Sequence, residues 1–161
     1  MEGKGQSWQE ALEYGKMVEQ YVLSRIQKKY PKAFCRDGRH KEWDIYVPEK
    51  KLKIEVKSDV YSNKTGNIVV ETAYNDRPSG ISTSTADFWV WFTGCKLIWI
   101  TMDQIRTAIK ESGVRLRKFT GGTDFAHKTA YLVPTYFIEA NSTSIEEPLD
   151  DLPEQFNFRE R

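Results

Sequence analysis

The sequence predicts an α/β fold: a single domain in which a central mixed β-sheet is flanked by helices. An amphipathic pattern near the N-terminus predicts one long helix. Several short runs of β-branched and aromatic residues, separated by turn-forming residues, predict strands. The chain has 161 residues, of which 39% are hydrophobic, so it has the size of one domain and enough apolar side chains to bury a core.

The first predicted element is a helix from about Trp8 to Lys29. Ser7 and Glu10 have the spacing of a capping box, in which each side chain satisfies a backbone N–H at the start of a helix. Pro31 follows the last predicted turn, and proline cannot continue a helix. These signals give the helix a defined beginning and end.

Glu19 is the unusual residue of this helix. At about 100° per residue, one face collects the apolar and small positions Trp8, Ala11, Leu12, Gly15, Val18, Val22 and Ile26. Glu19 falls near the middle of that face, where an unpaired carboxylate would be costly. Three interpretations follow: Glu19 has a buried partner, it reaches a polar cavity that holds a cation, or the helix is tilted and Glu19 extends to water from the edge of the face.

Strands are predicted in the first half of the chain at Trp43–Val47, Leu52–Lys57 and Asn67–Ala73. Pro48–Lys51 has the length and composition of a hairpin connection between the first two runs. The polar segment from Tyr61 to Gly66 separates the second run from the third and is expected to be a loop.

The second half of the chain contains two dense runs of aromatic and β-branched residues joined through Gly94, which predict a hairpin of central strands. We expect their tryptophans to be core residues, with base stacking as the less favoured role. Thr101 and Gln104 then cap a helix that ends before Gly113. Two late strands are predicted at Val114–Thr120 and Tyr131–Pro134.

The charge of the chain is divided unevenly. Residues 139–161 contain seven acidic and two basic residues, a net charge of −5. The whole chain has a net charge of +1, so residues 1–138 have a net charge of +6. We expect a folded domain at 1–138 and an acidic C-terminal tail at 139–161 that is flexible or loosely docked, because the sequence from Asn141 is rich in Ser, Thr, Glu and Pro. A basic body is suited to binding nucleic acid, although many unrelated domains are equally basic.

Composition also argues against several other classes of protein. No apolar stretch approaches the roughly 20 residues of a membrane helix, and no signal peptide is visible, so we expect a cytoplasmic protein without a membrane partner. Cys35 and Cys95 lack further ligands at zinc-site spacing and are expected to be reduced. His40 and His127 are isolated and are expected at the surface.

The predicted strand that begins at Leu52 contains the candidate catalytic residues Glu55 and Lys57. Alternation along a strand places Glu55 and Lys57 on one face and directs Ile54 and Val56 into the core. A hairpin with the preceding strand brings Asp44 beside Glu55 and Lys57. Two carboxylates and an ammonium on one patch are what a magnesium-assisted phosphodiester hydrolase requires. The competing interpretation is that Glu-x-Lys is a solvated strand face, as it is in many proteins.

Asp44, then ten residues, then Glu55-x-Lys57 resembles the PD-(D/E)xK nuclease superfamily, and the likeness extends from about Trp8 to Trp91. Trp43 stands where the proline of the motif name would be. In this superfamily a helix glutamate in a Gly-x-x-x-Glu setting often completes the site. Gly15 and Glu19 have that spacing. The resemblance implies a restriction-endonuclease-like fold.

The resemblance also implies a role for each residue. Asp44 and Glu55, with the Val56 carbonyl, would bind Mg²⁺, which Mn²⁺ can replace. Lys57 would orient the attacking water or stabilise negative charge, and Glu19 would join the metal shell. Glu71, on the third predicted strand, is an accessory candidate, but a cross-strand ion pair explains it equally well.

Within the superfamily, the size and order of elements look most like archaeal-type and phage Holliday junction resolvases. The implied function is a metal-dependent endonuclease that cuts four-way DNA junctions as a homodimer, in recombination, repair or phage DNA processing. A restriction-like, flap or single-strand nuclease of the same fold is an alternative, and so is a non-catalytic DNA-binding module.

Substrate contacts are expected from loops and surface cations around the site. The segment from Tyr74 to Asp87 is rich in hydroxyl and turn-forming residues, which suit phosphate binding and equally an ordinary capped turn. The candidate DNA-binding residues are Lys41, Arg77, Ser79, Ser82 and Lys128.

Overall fold

The computed structural model describes residues 8–38, 42–120 and 126–156. The helices within these ranges are α1 (Trp8–Gln27), α2 (Ser62–Thr65), α3 (Met102–Ser112) and α4 (Thr135–Ala140). The strands are β1 (Phe34–Cys35), β2 (Ile45–Val47), β3 (Leu52–Ser58), β4 (Asn67–Tyr74), β5 (Arg77–Pro78), β6 (Phe88–Phe92), β7 (Leu97–Thr101), β8 (Arg117–Thr120), β9 (His127–Pro134) and β10 (Ser144–Glu146).

The strands form two sheets. The larger sheet has the order β1-β2-β3-β6-β7-β10. It is mixed, because β3 and β6 run parallel while the neighbouring pairs are antiparallel. The smaller sheet is antiparallel and has the order β5-β4-β9-β8. The predicted α/β class with a central mixed sheet flanked by helices is therefore confirmed.

The larger sheet separates two apolar cores. On one face, α1 packs against side chains that include Ile54 and Val56 of β3 and Val90 of β6. On the other face, α3, α4 and the smaller sheet surround Trp89 and Trp91 of β6. Because β3 alternates, Glu55 and Lys57 lie on the second face, beside the tryptophans and away from α1.

Helix α1 buries part of the predicted face, including Val18 and Val22, but the centre of its buried face is shifted. Its buried residues are Tyr14, Val18, Tyr21, Val22 and Leu23, whereas Ala11 and Leu12 are exposed. Tyr14 and Tyr21 are not in the predicted face, and their rings pack against Phe156. Glu19 is half-buried, one turn before Val22 and Leu23.

The predicted features of the second half are largely confirmed. The strands β6 and β7 form the expected antiparallel hairpin. Thr101 and Gln104 form the expected capping box, and Gly113 ends α3 in a left-handed conformation. The other capping box involves Ser7, which lies outside the described residues. In the described part of the chain, none of the helices has both the length and the apolar character that a membrane span needs.

The C-terminal segment, expected as a tail at 139–161, is docked on the domain as far as Phe156, which favours the docked alternative for these residues over a flexible tail. The boundary falls inside α4, and β10 adds an edge strand to the larger sheet by pairing with β7. Arg25 of α1 binds the Glu146 carboxylate and lies 2.7 Å from Asp151. The Phe156 ring contacts Tyr14, Tyr21 and Phe92. Two acidic residues of this segment, Glu146 and Asp151, are thus held by a cation more than a hundred residues earlier in the chain.

Replacement of Arg25 by alanine tests this attachment. Arg25→Ala leaves the two carboxylates without their shared cation, and we expect the free energy of unfolding to fall by about 1–2 kcal/mol. Urea denaturation measures the change. Lys28→Ala is the matched control, since the Lys28 ammonium lies 3.6 Å from Asp151 but is largely exposed; its effect should stay below about 0.5 kcal/mol. Equal effects of the two substitutions would contradict the attachment.

Candidate active site

The hairpin of β2 and β3 positions Asp44 immediately before β2. Regular pairing begins at Ile45, which lies opposite Ile54. At Asp44 the pattern becomes irregular, because the Asp44 N–H donates to the Ile54 carbonyl over 2.9 Å. The Asp44 carbonyl accepts from the Arg36 N–H at 2.8 Å, which ties the same residue to β1. Asp44 is therefore fixed by its backbone on both sides.

The Asp44 carboxylate replaces the missing strand partner of β3. Its Oδ2 accepts a hydrogen bond of 2.7 Å from the Val56 N–H. Asp44 is 4% exposed, so this bond offsets part of the cost of burying a charge. Because the N–H and C=O of one strand residue point to the same edge, the Val56 carbonyl also faces the space beyond the start of β2.

Glu55 and Lys57 form the outer part of the site. Lys57 Nζ lies 3.5 Å from Glu55 Oε2, and the side chains are 36% and 15% exposed, respectively. The Lys57 ammonium also lies over the Trp89 ring, 5.6 Å from its centroid. Asp44 is thus deeply buried, Glu55 less so, and Lys57 borders solvent while the ring and the carboxylate hold its charge.

The segment from Ser79 to Asp87 forms a wall beside this hairpin. The Glu42 carbonyl, two residues before Asp44, accepts from the Thr85 N–H at 3.2 Å and from Ser84 Oγ at 3.3 Å. At the end of the wall, Asp87 Oδ2 accepts from the Lys53 N–H at 2.8 Å. The predicted hydroxyl-rich loop therefore anchors the backbone on both strands of the hairpin.

Glu71 lies at the other end of the wall, on β4. Its carboxylate accepts from Ser79 Oγ at 2.6 Å and lies 3.5 Å from Lys128 Nζ. Gly80 packs against the Glu71 backbone, where a Cβ atom would come within 2.1 Å of the carbonyl oxygen. Lys128 lies on the neighbouring strand β9, so its contact with Glu71 is the cross-strand ion pair that was the alternative explanation of Glu71.

Asp59 is a residue that the sequence argument missed. It continues the alternation of Glu55 and Lys57 just past the end of β3, and its Oδ2 accepts from the Val69 N–H at 2.9 Å. Burial raises the pKa of Asp59, and the hydrogen bonds from Val69 and Ser62 partly oppose that shift. Asp59 connects the larger sheet to β4, and its i, i+2, i+4 spacing from Glu55 is the signal that could have identified it.

The other predicted site residues are spread over several elements. Arg77 is exposed on β5, and Ser82 Oγ donates to the Thr72 carbonyl at 2.8 Å. Lys41 lies outside the described residues. Helix α1, which carries Glu19, packs on the opposite face of β3 from Glu55. A role for Glu19 in the site stays a prediction.

The donor set is compatible with Mg²⁺. Two carboxylates, Asp44 and Glu55, and the Val56 carbonyl supply hard oxygen atoms. Among the described residues, His, Cys, Asp and Glu side chains form no group of three or more arranged to hold a metal ion. Mg²⁺ commonly retains several waters and uses one or two carboxylates together with substrate phosphates, so a two-carboxylate set suits it.

Comparisons with protein-family models, with curated proteins and with solved structures find no match to this chain.

Gly80 provides a test of the wall. Its φ is +55°, and an added Cβ would collide with the Glu71 carbonyl, whereas Gly66 has φ +75° and open space around it. We expect Gly66→Ala to cost about 1 kcal/mol through its backbone conformation alone. Gly80→Ala should cost about 1–3 kcal/mol more, because the loop must move. Chemical denaturation compares them, and equal costs would refute the close packing of Gly80 on Glu71.

Proposed function

We propose that the protein is a Mg²⁺-dependent DNA endonuclease with a restriction-endonuclease-like fold, and that its substrate is branched DNA of the four-way junction type. The observation that carries this proposal is the hydrogen bond from the Val56 N–H to the buried Asp44 carboxylate. It fixes a carboxylate at the open end of β2, beside the strand that carries Glu55 and Lys57.

The proposed site assigns a separate task to each side chain. Asp44 and Glu55 would hold the cation through carboxylate oxygens, with the Val56 carbonyl as a third donor. Bound Mg²⁺ supplies positive charge at the phosphodiester and activates water for attack. Lys57, kept at the solvent border by Glu55 and Trp89, would stabilise the negative charge that develops on the phosphate oxygens. Glu19 remains an outer candidate in this scheme.

The asymmetry of charge supports DNA as the substrate. Residues 1–138 carry a net charge of +6. In the attached C-terminal segment, Glu146 and Asp151 bind Arg25, so part of the acidic charge is balanced internally. The cations that remain on the body would attract phosphate groups and guide association.

Cleavage of defined DNA substrates tests the proposal. A four-way junction, a flap and a linear duplex are incubated with the full chain in Mg²⁺ or in EDTA. We expect Mg²⁺-dependent cutting, fastest on the junction, and at least about a hundredfold loss of rate in Asp44→Asn and Lys57→Ala. Asp44→Asn keeps an oxygen that can accept from the Val56 N–H, so its fold should be retained.

The controls separate chemistry from binding and folding. Asp103→Asn changes a highly exposed carboxylate on α3 and should cut at the wild-type rate. Retained DNA binding by Asp44→Asn in EDTA would support a catalytic loss. The absence of Mg²⁺-dependent cutting on all three substrates would overturn the nuclease proposal, and faster cutting of the flap than of the junction would overturn the junction assignment.

A further inference from the structure

An open cluster of aromatic rings lies on the same face of the larger sheet as the proposed site. In register, Phe34 of β1 lies opposite Tyr46 of β2, and Tyr46 lies opposite Lys53 of β3. Directly opposed residues share a sheet face, and Lys53 shares its face with Glu55 and Lys57 by alternation. A row of two rings and a cation therefore crosses three strands and meets the strand that carries Glu55.

The rings contact one another but leave one of them open. Trp43 joins the row, with its ring centroid 6.4 Å from Phe34 and 5.7 Å from Tyr46. Phe34 nevertheless remains 47% exposed, although it is an apolar side chain on a two-residue edge strand. Trp43 and Tyr46 are half-buried beneath it. Packing within the protein thus accounts for the positions of Trp43 and Tyr46, but it does not account for the exposed ring of Phe34.

Cations border the rings. The Arg36 guanidinium lies over the Trp43 ring, 5.1 Å from its centroid, and the Arg36 side chain is exposed. Lys53 lies at the other end of the row, on strand β3 of the hairpin that positions Asp44. An exposed ring on an aromatic cluster flanked by cations fits a chain of bases and phosphates, because a base stacks on the ring and phosphates pair with the cations.

We infer that Phe34, Arg36, Trp43, Tyr46 and Lys53 form a binding platform for unpaired nucleotides of DNA next to the phosphate that is cut. The inference rests on the proposed function, since it takes the Asp44, Glu55 and Lys57 site as the place of cleavage. A base in a duplex is stacked between its neighbours and offers no free face to Phe34. Only an unpaired base, as in a flap, a gap or an opened junction centre, can stack there.

Binding in EDTA tests the platform without cleavage. One set of oligonucleotides carries 2-aminopurine, a fluorescent base, in a single-stranded segment. In the matched duplexes every base is paired. We expect the wild type to quench the fluorescence on binding, as stacking does. Phe34→Leu should weaken binding of the single-stranded segment about tenfold and abolish the quenching, while duplex binding changes less than about twofold. Phe34→Trp should retain both single-strand binding and quenching, because it keeps an aromatic face at this position.

Two further variants complete the experiment. Tyr136→Leu removes an even more exposed ring on α4 and should leave binding and quenching unchanged. Arg36→Gln should weaken binding of all substrates and reduce the salt dependence, because it removes a phosphate partner. Circular dichroism melting confirms that each variant is folded.

The binding experiment and the cleavage assay can fail independently of each other. Unchanged single-stranded binding by Phe34→Leu, or an equal loss for duplex, would overturn the platform even if Mg²⁺-dependent cutting is found. Wild-type protein that quenches and discriminates as expected but never cuts would leave the rings as a binding surface and overturn the catalytic proposal alone.

Discussion

The bond between the Val56 N–H and the Asp44 carboxylate, 2.7 Å long and buried, is the constraint on which the candidate site depends. It occupies the place of a strand-to-strand hydrogen bond that β2 begins too late to make. Without it, β3 would have an unsatisfied buried amide, at a cost of about 1–3 kcal/mol. One side chain therefore completes the sheet and positions a carboxylate.

The position of this bond also determines what surrounds it. Val56 points into the core beneath α1, so the neighbouring residues Glu55 and Lys57 must point to the other face. There the tryptophans of β6 give Lys57 an aromatic support, and the wall from Ser79 to Asp87 closes one side through the Glu42 carbonyl. Polar residues are thus collected on one patch by the alternation of a single strand and by the loop that borders it.

Local patterns predicted the elements that carry the site. Alternation identified β3, turn composition identified its hairpin with β2, and the Thr101 capping box fixed the start of α3. These signals depend on residues close together in the chain, so the sequence displays them directly. The placement of Asp44 beside β3 followed from the same hairpin, although its hydrogen bond to Val56 did not.

Other features depend on contacts between distant segments, and the sequence concealed them. The buried face of α1 includes Tyr14 and Tyr21, which contact Phe156 near the other end of the chain. The acidic segment is attached through Arg25 of α1. Composition suggested a flexible tail, because its polar residues match those of disordered segments. The spacing from Glu55 places Asp59 on the face of the site, but its bond to Val69 joins two sheets whose relation no local pattern reveals.

A double-variant cycle tests most directly whether Asp44 and Glu55 serve one catalytic centre. Single-turnover cutting of a four-way junction in Mg²⁺ is measured for the wild type, Asp44→Asn, Glu55→Gln and the double variant. If both carboxylates hold the same cation, the double variant should be no slower than the slower single variant, because the first change already disables the site. Rate losses that multiply would show that the two residues act independently and would contradict the shared site.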